Sequence, residues 1–383
     1  MGTENTPEDM PQEIHVGLDI GGTLAKLVLI GPRSIITSVA SSYSSSLMVH
    51  EKFSTDENDI SAIDLGFDGV DGSAFEMFSF DSRNISPLLQ FLRDLSHSVD
   101  GTVIDVRVTG GGALKFKDDL HRTLPTAHFT KVDEMDAVAA GFSFLVRRPN
   151  SAFIFDSSNS SWTPVPSEEV ESPFPLLLVN IGSGVSVLKI DSPAKYERVQ
   201  GSAIGGGTVL GLGRALFNAQ SFEEIMELSM KGNSNNVDLS VGELIGALPN
   251  DDFWNFDTLA SSLTKLNSSD IHEVSRADLA QSIVRMVSYN IGYIAYLVSC
   301  LHDCNRIYFS GKYVNKHVPT MEALSYALRF YENWQPPPIA EESVDNEYQL
   351  DSPASGFMER HCEVRFLHQE GYVGAIGALI PKK

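Results

Sequence analysis

The feature that most constrains this chain is a repeated unit in which two apolar strands flank a glycine turn. The first unit covers residues 15–30 and turns at Gly21-Gly22-Thr23, and the second covers residues 175–190 and turns at Gly182-Ser183-Gly184. Each pattern predicts a β-hairpin, because glycine allows the backbone to turn tightly between strands. The turns lie about 160 residues apart, so the repeat predicts two lobes of similar design. The length of 383 residues fits two lobes at roughly 150 residues per domain.

Four further segments carry periodicity that indicates regular structure. Apolar runs predict strands at residues 103–108 and 306–309, and helical spacing predicts helices at 131–145 and 275–303. In the long helix, Ser275 and Asp278 stand at the spacing of a capping box. The mixture favours an α/β fold in which mixed sheets are flanked by helices.

The remaining segments divide the chain. A polar, acidic start predicts a disordered tail, and stretches rich in serine, proline, asparagine or acidic residues predict surface loops. We expect a tail at residues 1–13, an N-terminal lobe at 14–145, a loop insertion at 146–172, and a C-terminal lobe at 173–383 with a second loop insertion at 333–358. Residues 34–71 are rich first in serine and then in acidic residues, and they show no clear pattern of secondary structure.

Composition disfavours several classes of protein. Lys+Arg 28 against Asp+Glu 50 gives a net charge of −22, which repels nucleic acid and anionic lipid. The longest apolar run, residues 291–301, is too short to cross a bilayer, which takes about 20 apolar residues. Cys300, Cys304 and Cys362 form neither a disulfide framework nor a zinc pattern. We therefore expect a cytoplasmic protein with no nucleic-acid partner and no membrane span.

The glycine turns match none of the commoner nucleotide motifs. Gly311-Lys312-Tyr313 lacks the upstream glycine and the hydroxyl residue of a P-loop. Both hairpin turns lead into strands rather than helices, which disfavours a dinucleotide-binding fold. A zinc-binding HExxH motif is absent from the sequence. Two hairpins that face each other remain, and their backbone N–H groups would hold a polyphosphate between them.

Side chains beside the turns suit a polyphosphate bound together with Mg²⁺. Thr23 and Ser183 offer hydroxyl donors, and Lys26 offers a cation. Asp19 precedes the first turn and would hold Mg²⁺ directly or through water, because this hard cation prefers oxygen ligands. A plain hairpin also explains the first motif in isolation, but a second turn of the same kind favours a binding site.

Six motifs, in order along the chain, resemble those of the eukaryotic-type (type II) pantothenate kinases of the actin-like, sugar-kinase-like ATPase superfamily. They occupy residues 19–26, 109–113, 133–136, 180–186, 205–208 and 370–378. The resemblance implies a two-lobe actin-like ATPase (ribonuclease H-like) fold. It also implies ATP-dependent phosphorylation of pantothenate to 4′-phosphopantothenate, the first committed step of coenzyme A biosynthesis.

The resemblance further implies roles for individual residues. Glu134 would be the general base that takes the proton from the pantothenate hydroxyl. Ser183, Ser186 and Arg198 would hold pantothenate, with Arg198 on its carboxylate. The nucleotide would be bound by Asp19 and Lys26 together with the turn residues Gly21, Gly22, Thr23, Gly110, Gly111, Gly182, Gly205, Gly206, Gly207, Thr208 and Gly311.

Local sequence alone supports plainer interpretations of the same residues. Glu134 fits a solvated carboxylate in the first turn of a helix, where the helix dipole favours it. Arg198 fits a surface charge on a strand. One motif also departs from the family, because Ser310-Gly311-Lys312 stands where animal members have Gly-Asn. Contacts near the nucleotide base are therefore expected to differ.

The family resemblance also implies a homodimer in which the helix at residues 275–303 packs against its mate. Residues 258–262, including Ala260, would then reach the substrate site of the partner. A helix buried within one chain explains the same apolar pattern equally well. The resemblance implies, in addition, that CoA or its thioesters inhibit by competing for the ATP site.

Two other functions stay open at the level of sequence. A sugar or N-acetylhexosamine kinase of the same fold would commonly use an aspartate as base. A catalytically silent protein that senses nucleotide or acyl-CoA would be expected to lack the base. The presence of Glu134, Lys26 and Arg198 together favours the pantothenate kinase.

Overall fold

The protein is described by a computed structural model. The structure describes residues 13–42, 48–51, 73–99, 102–246, 258–267, 274–314, 317–333, 361–368 and 370–380. Its strands are β1 (Glu13–Ile20), β2 (Leu24–Pro32), β3 (Met48–Glu51), β4 (Ser73–Asp81), β5 (Val103–Thr109), β6 (His128–Lys131), β7 (Ala152–Asp156), β8 (Ser161–Pro164), β9 (Leu176–Ile181), β10 (Val185–Ser192), β11 (Lys195–Ser202), β12 (Leu239–Ser240), β13 (Leu259–Ser261), β14 (Arg306–Ser310) and β15 (Glu363–Leu367).

Helices connect and cover these strands. They are α1 (Arg33–Ser42), α2 (Ser86–His97), α3 (Gly112–Lys115), α4 (Lys117–Thr123), α5 (Glu134–Leu145), α6 (Ser167–Glu171), α7 (Gly206–Phe217), α8 (Phe222–Ser229), α9 (Val241–Ile245), α10 (Arg276–His302), α11 (Val318–Asn333) and α12 (Val373–Leu379).

Two large mixed sheets share one strand arrangement. The lobe 1 sheet has the order β3-β4-β2-β1-β5-β6, and the lobe 2 sheet has the order β11-β10-β9-β14-β15-β7-β8. In lobe 1 the antiparallel strands β4, β2 and β1 continue into the parallel strands β5 and β6. In lobe 2 the antiparallel strands β11, β10 and β9 continue into the parallel strands β14 and β15. Both predicted hairpins, the duplication and the α/β class with mixed sheets are therefore confirmed.

Helices α5 and α12 lie between the two sheets and fill a shared core. Alternation along β9 shows how this core forms: Leu176 and Leu178 face the helices between the sheets, whereas Leu177 and Val179 face the opposite core. That opposite core is covered by α7, α8, α10 and α11. On the outer side of the lobe 1 sheet, α2 and α4 cover a third core. The molecule is thus layered as helix, sheet, helix, sheet, helix.

Glycine lets α5, α12 and β1 approach one another closely. A β-carbon on Gly377 would collide with the carbonyl of Ala137 on α5, and one on Gly141 would collide with the carbonyl of Val373 on α12. Gly17 on β1 likewise leaves no room for a β-carbon against α12. All residues of α12 are buried. The prediction that residues 173–383 form only the C-terminal lobe is therefore wrong for α12, because a helix that is apolar on every side packs stably only between two layers.

The predicted loop insertion at residues 146–172 is also wrong. This segment forms β7, β8 and α6, and β7 pairs with β15 at the side of the lobe 2 sheet. Phe153 and Phe155 alternate with more exposed neighbours and are buried in the core. Glu169 on α6 is buried as well, where it accepts hydrogen bonds from Tyr308 and Arg365. The period-2 spacing of the two phenylalanines indicated a strand, whereas the serine-rich composition misleadingly indicated a loop.

Element boundaries differ from the predictions in small ways. The helix predicted from residue 131 begins at Glu134, because Lys131 ends β6 and Asp133 caps the helix. Ser275 caps α10, but Asp278 accepts hydrogen bonds from Asn233 and Asn236, so no reciprocal capping box forms. Glu13 belongs to β1 rather than to the tail. Residues 1–12, 43–47, 52–72 and 334–358, on which other predictions fall, lie outside the described residues.

Helix α10 has the length and hydropathy that a membrane span requires. It is 27 residues long, and within its most apolar window 56% is buried inside the protein. Leu279, Ile283, Val287 and Ile291 form part of the lobe 2 core. In the part of the chain that the structure describes, packing thus accounts for the apolar face of the helix, as expected for the core helix of a globular lobe.

Candidate active site

The two glycine turns face each other across one cleft between the lobes. The predicted residues that line this cleft are Asp19, Gly21, Gly22, Thr23, Lys26, Gly182, Ser183, Gly206 and Gly207. They come from β1, the two hairpin turns, β2 and the start of α7. The sequence therefore identified most of the cleft wall, and the geometry allows an anion to be held between backbone turns.

The first turn keeps donors available. The Gly21 N–H donates to the carbonyl of Leu24 at 2.9 Å, which closes the hairpin. The Thr23 carbonyl accepts from the N–H of Ser82 at 3.0 Å, which attaches the turn to the residues after β4. For the N–H groups of Gly22 and Thr23, the described residues provide no hydrogen-bond acceptor. These two groups remain to bind an anion in the cleft.

The second turn is built differently from the prediction. The N–H groups of Gly206 and Gly207 donate to the carbonyls of Gly182 and Ser183, at 2.9 and 3.0 Å. The hydroxyl of Thr208 accepts from the N–H of Gly205 at 3.2 Å and caps α7. These groups were predicted to bind nucleotide, yet their hydrogen-bonding capacity is used within the protein. The hydrogen bonds of Gly206 and Gly207 hold the Gly182–Ser183 turn in place.

Asp19 lies between two glycines. A β-carbon on Gly110 would come within 2.6 Å of its Oδ1, and one on Gly374 within 2.5 Å of its Oδ2. Desolvation raises the pKa of the Asp19 carboxyl, and the positive charge of Lys26 opposes that shift. Within the described residues, no group donates a hydrogen bond to this carboxylate. A desolvated carboxylate without donors, open to an anion-binding cleft, is suited to a hard cation.

Glu134 begins α5, close enough to Asp19 for their charges to interact. The side chain of Asp133 caps the helix by accepting from the N–H groups of Met135 and Asp136, which leaves Glu134 free of that role. Desolvation first, and then the negative charges of Asp19 and Asp133, raise the pKa of Glu134. The charge of Arg198 acts in the opposite direction. Glu134, Asp19 and Arg198 are thus close enough to interact, although they come from three separate motifs.

The predicted pantothenate-binding residues lie on the lobe 2 sheet. Leu188 pairs with Arg198 and faces the core around α5, so period-2 alternation places Ser186 and Arg198 on that same face. The Arg198 guanidinium passes close to Gly201, where a β-carbon would come within 2.7 Å of its Nη2. Arg198 lines a second opening with residues 199–203.

Other predicted site residues lie off the cleft. Gly111 precedes α3, and Gly110 packs against the carboxylate of Asp19. Gly311 has a φ of 104° and packs against the carbonyl of Ile181, so its role is to place the turn that follows β14. Ala260 lies exposed in β13, in a two-stranded sheet with β12, and within one chain it does not line the cleft.

The structure adds cleft residues that the sequence did not identify. They are Leu24, Ile181, Leu210, Phe222, Lys312 and Tyr313. Lys312 forms an ion pair with Glu223 at 2.5 Å, and its position had been noted only as a departure from the family. Leu210 and Phe222 show helical periodicity, which predicts burial but cannot distinguish a core from a cleft wall.

Comparison with known families decides the classification. The family signature named Fumble matches residues 15–339, which is most of the chain. The chain belongs to the Fumble family. The Fumble chain is 33% identical to pantothenate kinase 1 of Arabidopsis thaliana over 97% of its own length and 86% of that protein. The resemblance to eukaryotic-type pantothenate kinases is therefore confirmed.

Several relatives of this Fumble-family protein are much longer. Pantothenate kinase 2 of Arabidopsis thaliana is 31% identical over 96% of the chain, which spans only 38% of that relative. The 4′-phosphopantetheine phosphatase of Mus musculus is 30% identical over 95% of the chain, which spans 40% of it. A glucokinase structure from Balamuthia mandrillaris aligns with 96% of the chain and 93% of its own, at 12% identity and a TM-score of 0.43.

Proposed function

We propose that this Fumble-family chain is a pantothenate kinase that transfers the γ-phosphoryl group of ATP to the hydroxyl of pantothenate. One observation carries the proposal: Glu134 lies where it interacts with both Asp19 and Arg198. A carboxylate able to act as base is therefore near both a carboxylate suited to bind a cation and a guanidinium able to bind a carboxylate substrate.

Asp19 and the substrate phosphates would hold Mg²⁺ together. Mg²⁺ is usually bound by one or two protein carboxylates with phosphate and water oxygens, and among the described residues Asp19 is not part of a larger group of metal ligands. When bound, the ion neutralises charge on the phosphates. The N–H groups of Gly22 and Thr23, with the ammonium group of Lys26, would bind the polyphosphate directly.

Glu134 would accept the proton of the pantothenate hydroxyl as the alcohol attacks. Phosphoryl transfer depends mainly on positioning and electrostatics, so a positioned carboxylate is sufficient as base. Its raised pKa makes it a better proton acceptor than an ordinary glutamate. Arg198 would bind the substrate carboxylate, and Ser183 and Ser186 would donate hydrogen bonds to pantothenate.

The test is turnover by the purified chain with Mg²⁺, ATP and pantothenate, compared with Glu134→Gln. The variant keeps the size of the side chain but removes the base, so we expect turnover to fall by about 100-fold or more while ATP binding persists. Glu168→Gln, at an exposed first-turn glutamate of α6, serves as the matched control. Turnover of Glu134→Gln close to wild type would contradict the mechanism.

The same assay separates the alternatives. Phosphorylation of a hexose or N-acetylhexosamine instead of pantothenate would indicate a sugar kinase. ATP binding without any transfer would indicate a nucleotide or acyl-CoA sensor. Release of phosphate from 4′-phosphopantetheine without ATP would indicate the activity named for the mouse relative.

A homodimer, inhibition by CoA or acyl-CoA, and a cytoplasmic location belong to the same proposal. Tyr293, Leu297 and Leu301 are 39%, 42% and 79% exposed and share one face of α10, which supports packing of α10 against a second copy. The three cysteines are free thiols, which fits a reducing compartment. Sedimentation of the purified chain and titration of turnover with CoA test the first two points.

A further inference from the structure

We propose that Tyr196 and Asp136 form a positioning pair that fixes the base Glu134 relative to the anchoring Arg198. The inference rests on the proposed pantothenate kinase activity and deepens it. The hydroxyl of Tyr196, on β11, donates a hydrogen bond to the Oδ1 of Asp136, on α5. The two residues are 60 positions apart in sequence, so the bond ties together two elements that are distant along the chain.

Both partners stand beside functional side chains. Tyr196 and Arg198 are two residues apart on β11, where the pairing of this stretch with β10 is regular, so they point to the same face. Glu134 and Asp136 both belong to the first turn of α5. The Tyr196–Asp136 bond therefore joins the same two elements, α5 and β11, that carry Glu134 and Arg198.

Neither Glu134 nor Arg198 is held by a bond of its own. Among the described residues, no hydrogen bond or ion pair engages either side chain, and both residues are exposed. Their separation is consequently set by the backbones of α5 and β11. On its other side α5 packs closely against α12, through Gly141 and Gly377. The Tyr196–Asp136 bond is thus a polar tie from α5 to the strand that carries Arg198.

The tyrosine is a dependable donor. Burial, together with the carboxylate of Asp136, raises the pKa of the Tyr196 hydroxyl well above its ordinary value, so it stays protonated. A bond between a hydroxyl and a charged carboxylate is stronger than one between neutral groups. Its loss would let the start of α5 shift relative to β11. A displacement of about 1 Å between a base and its substrate costs up to about 100-fold in rate.

The experiment compares steady-state kinetics of the full chain with those of Tyr196→Phe, Asp136→Ala and Asp136→Asn. Tyr196→Phe and Asp136→Ala each break the bond, and we expect kcat to fall by about 10- to 100-fold with KM for ATP unchanged. Asp136→Asn keeps an oxygen that accepts from Tyr196, so kcat should stay within about threefold of wild type. The double variant Tyr196→Phe/Asp136→Ala should lose no more than either single variant.

Two controls account for general effects of the substitutions. Tyr326→Phe removes a hydroxyl from a partly exposed tyrosine of α11, and Asp118→Ala removes a first-turn carboxylate of α4. A kcat of Tyr196→Phe within about twofold of wild type would overturn the inference, as would an Asp136→Asn variant as slow as Asp136→Ala. A wild-type chain that does not phosphorylate pantothenate overturns the proposed function as well, which distinguishes the two failures.

Discussion

Gly374 lies against Asp19 so closely that a β-carbon on the glycine would come within 2.5 Å of the carboxylate oxygen Oδ2 and 3.0 Å of Cγ. The C-terminal helix α12 thereby touches the carboxylate that precedes the first glycine turn. The same helix packs on α5, which begins with Glu134. Helix α12 thus contacts both Asp19 on β1 and the helix that begins with Glu134.

Gly374→Ala is expected to displace the Asp19 side chain. The added methyl group would collide with the carboxylate and leave it no space on that side, so turnover should fall by about tenfold or more while the fold persists. Gly371→Ala is the matched control, because a β-carbon there meets no atom within 4 Å. Kinetics and thermal melting of both variants check this prediction, and equal activity in the two would contradict it.

Asp19→Asn should remove activity and stabilise the protein. Burial raises the pKa of Asp19 in the folded state, so ionisation opposes folding. That penalty is absent below the unfolded pKa and is complete once pH exceeds the folded pKa. At neutral pH the uncharged amide should therefore raise Tm, whereas Mg²⁺-dependent turnover should be lost. Asp118→Asn, on the surface of α4, should change neither quantity. A lower Tm for Asp19→Asn would refute the burial argument.

Turnover should fall at low pH through protonation of Glu134. Its pKa is raised, so the acidic limb of kcat/KM for pantothenate should lie above the ordinary glutamate pKa. Arg198→Met removes the one charge that opposes this shift, and the limb should move to still higher pH. The exposed Arg214→Met is the control, with an unchanged limb. A limb that stays in place or moves down in Arg198→Met would show that the two groups do not interact.

Glu169 is expected to stabilise the attachment of α6 to the lobe 2 sheet. It is 7% exposed, accepts from Tyr308 at 2.6 Å, and pairs with Arg365 at 2.9 Å. Glu169→Ala leaves a buried guanidinium and a hydroxyl without their acceptor, which costs about 3–5 kcal/mol of unfolding free energy. Glu168→Ala changes an exposed neighbour and should cost almost nothing. Urea unfolding of both variants provides the measurement, and equal midpoints would contradict the prediction.

Local patterns predicted the hairpins and the long helix because the apolar residues of a strand or a helix repeat every 2 or 3.6 residues, and a short stretch of sequence shows this period. For residues 146–172 the prediction was wrong, because it followed the loop-like composition and not the strand pattern of Phe153 and Phe155. The nucleotide roles of Gly206, Gly207 and Thr208 likewise required structure. The family resemblance implied that they bind nucleotide, and only the folded backbone shows that neighbouring carbonyls already accept their N–H groups.

The sequence by itself determined the two glycine turns, the strands beside them and the carboxylates that carry charge, because each depends on residues adjacent along the chain. Tertiary structure alone decided that Asp19, Glu134 and Arg198 meet, that Lys312 joins the cleft, and that Tyr196 reaches Asp136. These relations join residues separated by tens to hundreds of positions. They form only when α5 and α12 pack between the two sheets. Close packing there requires Gly141 and Gly377, and the residues next to them in sequence do not show which helix they will contact.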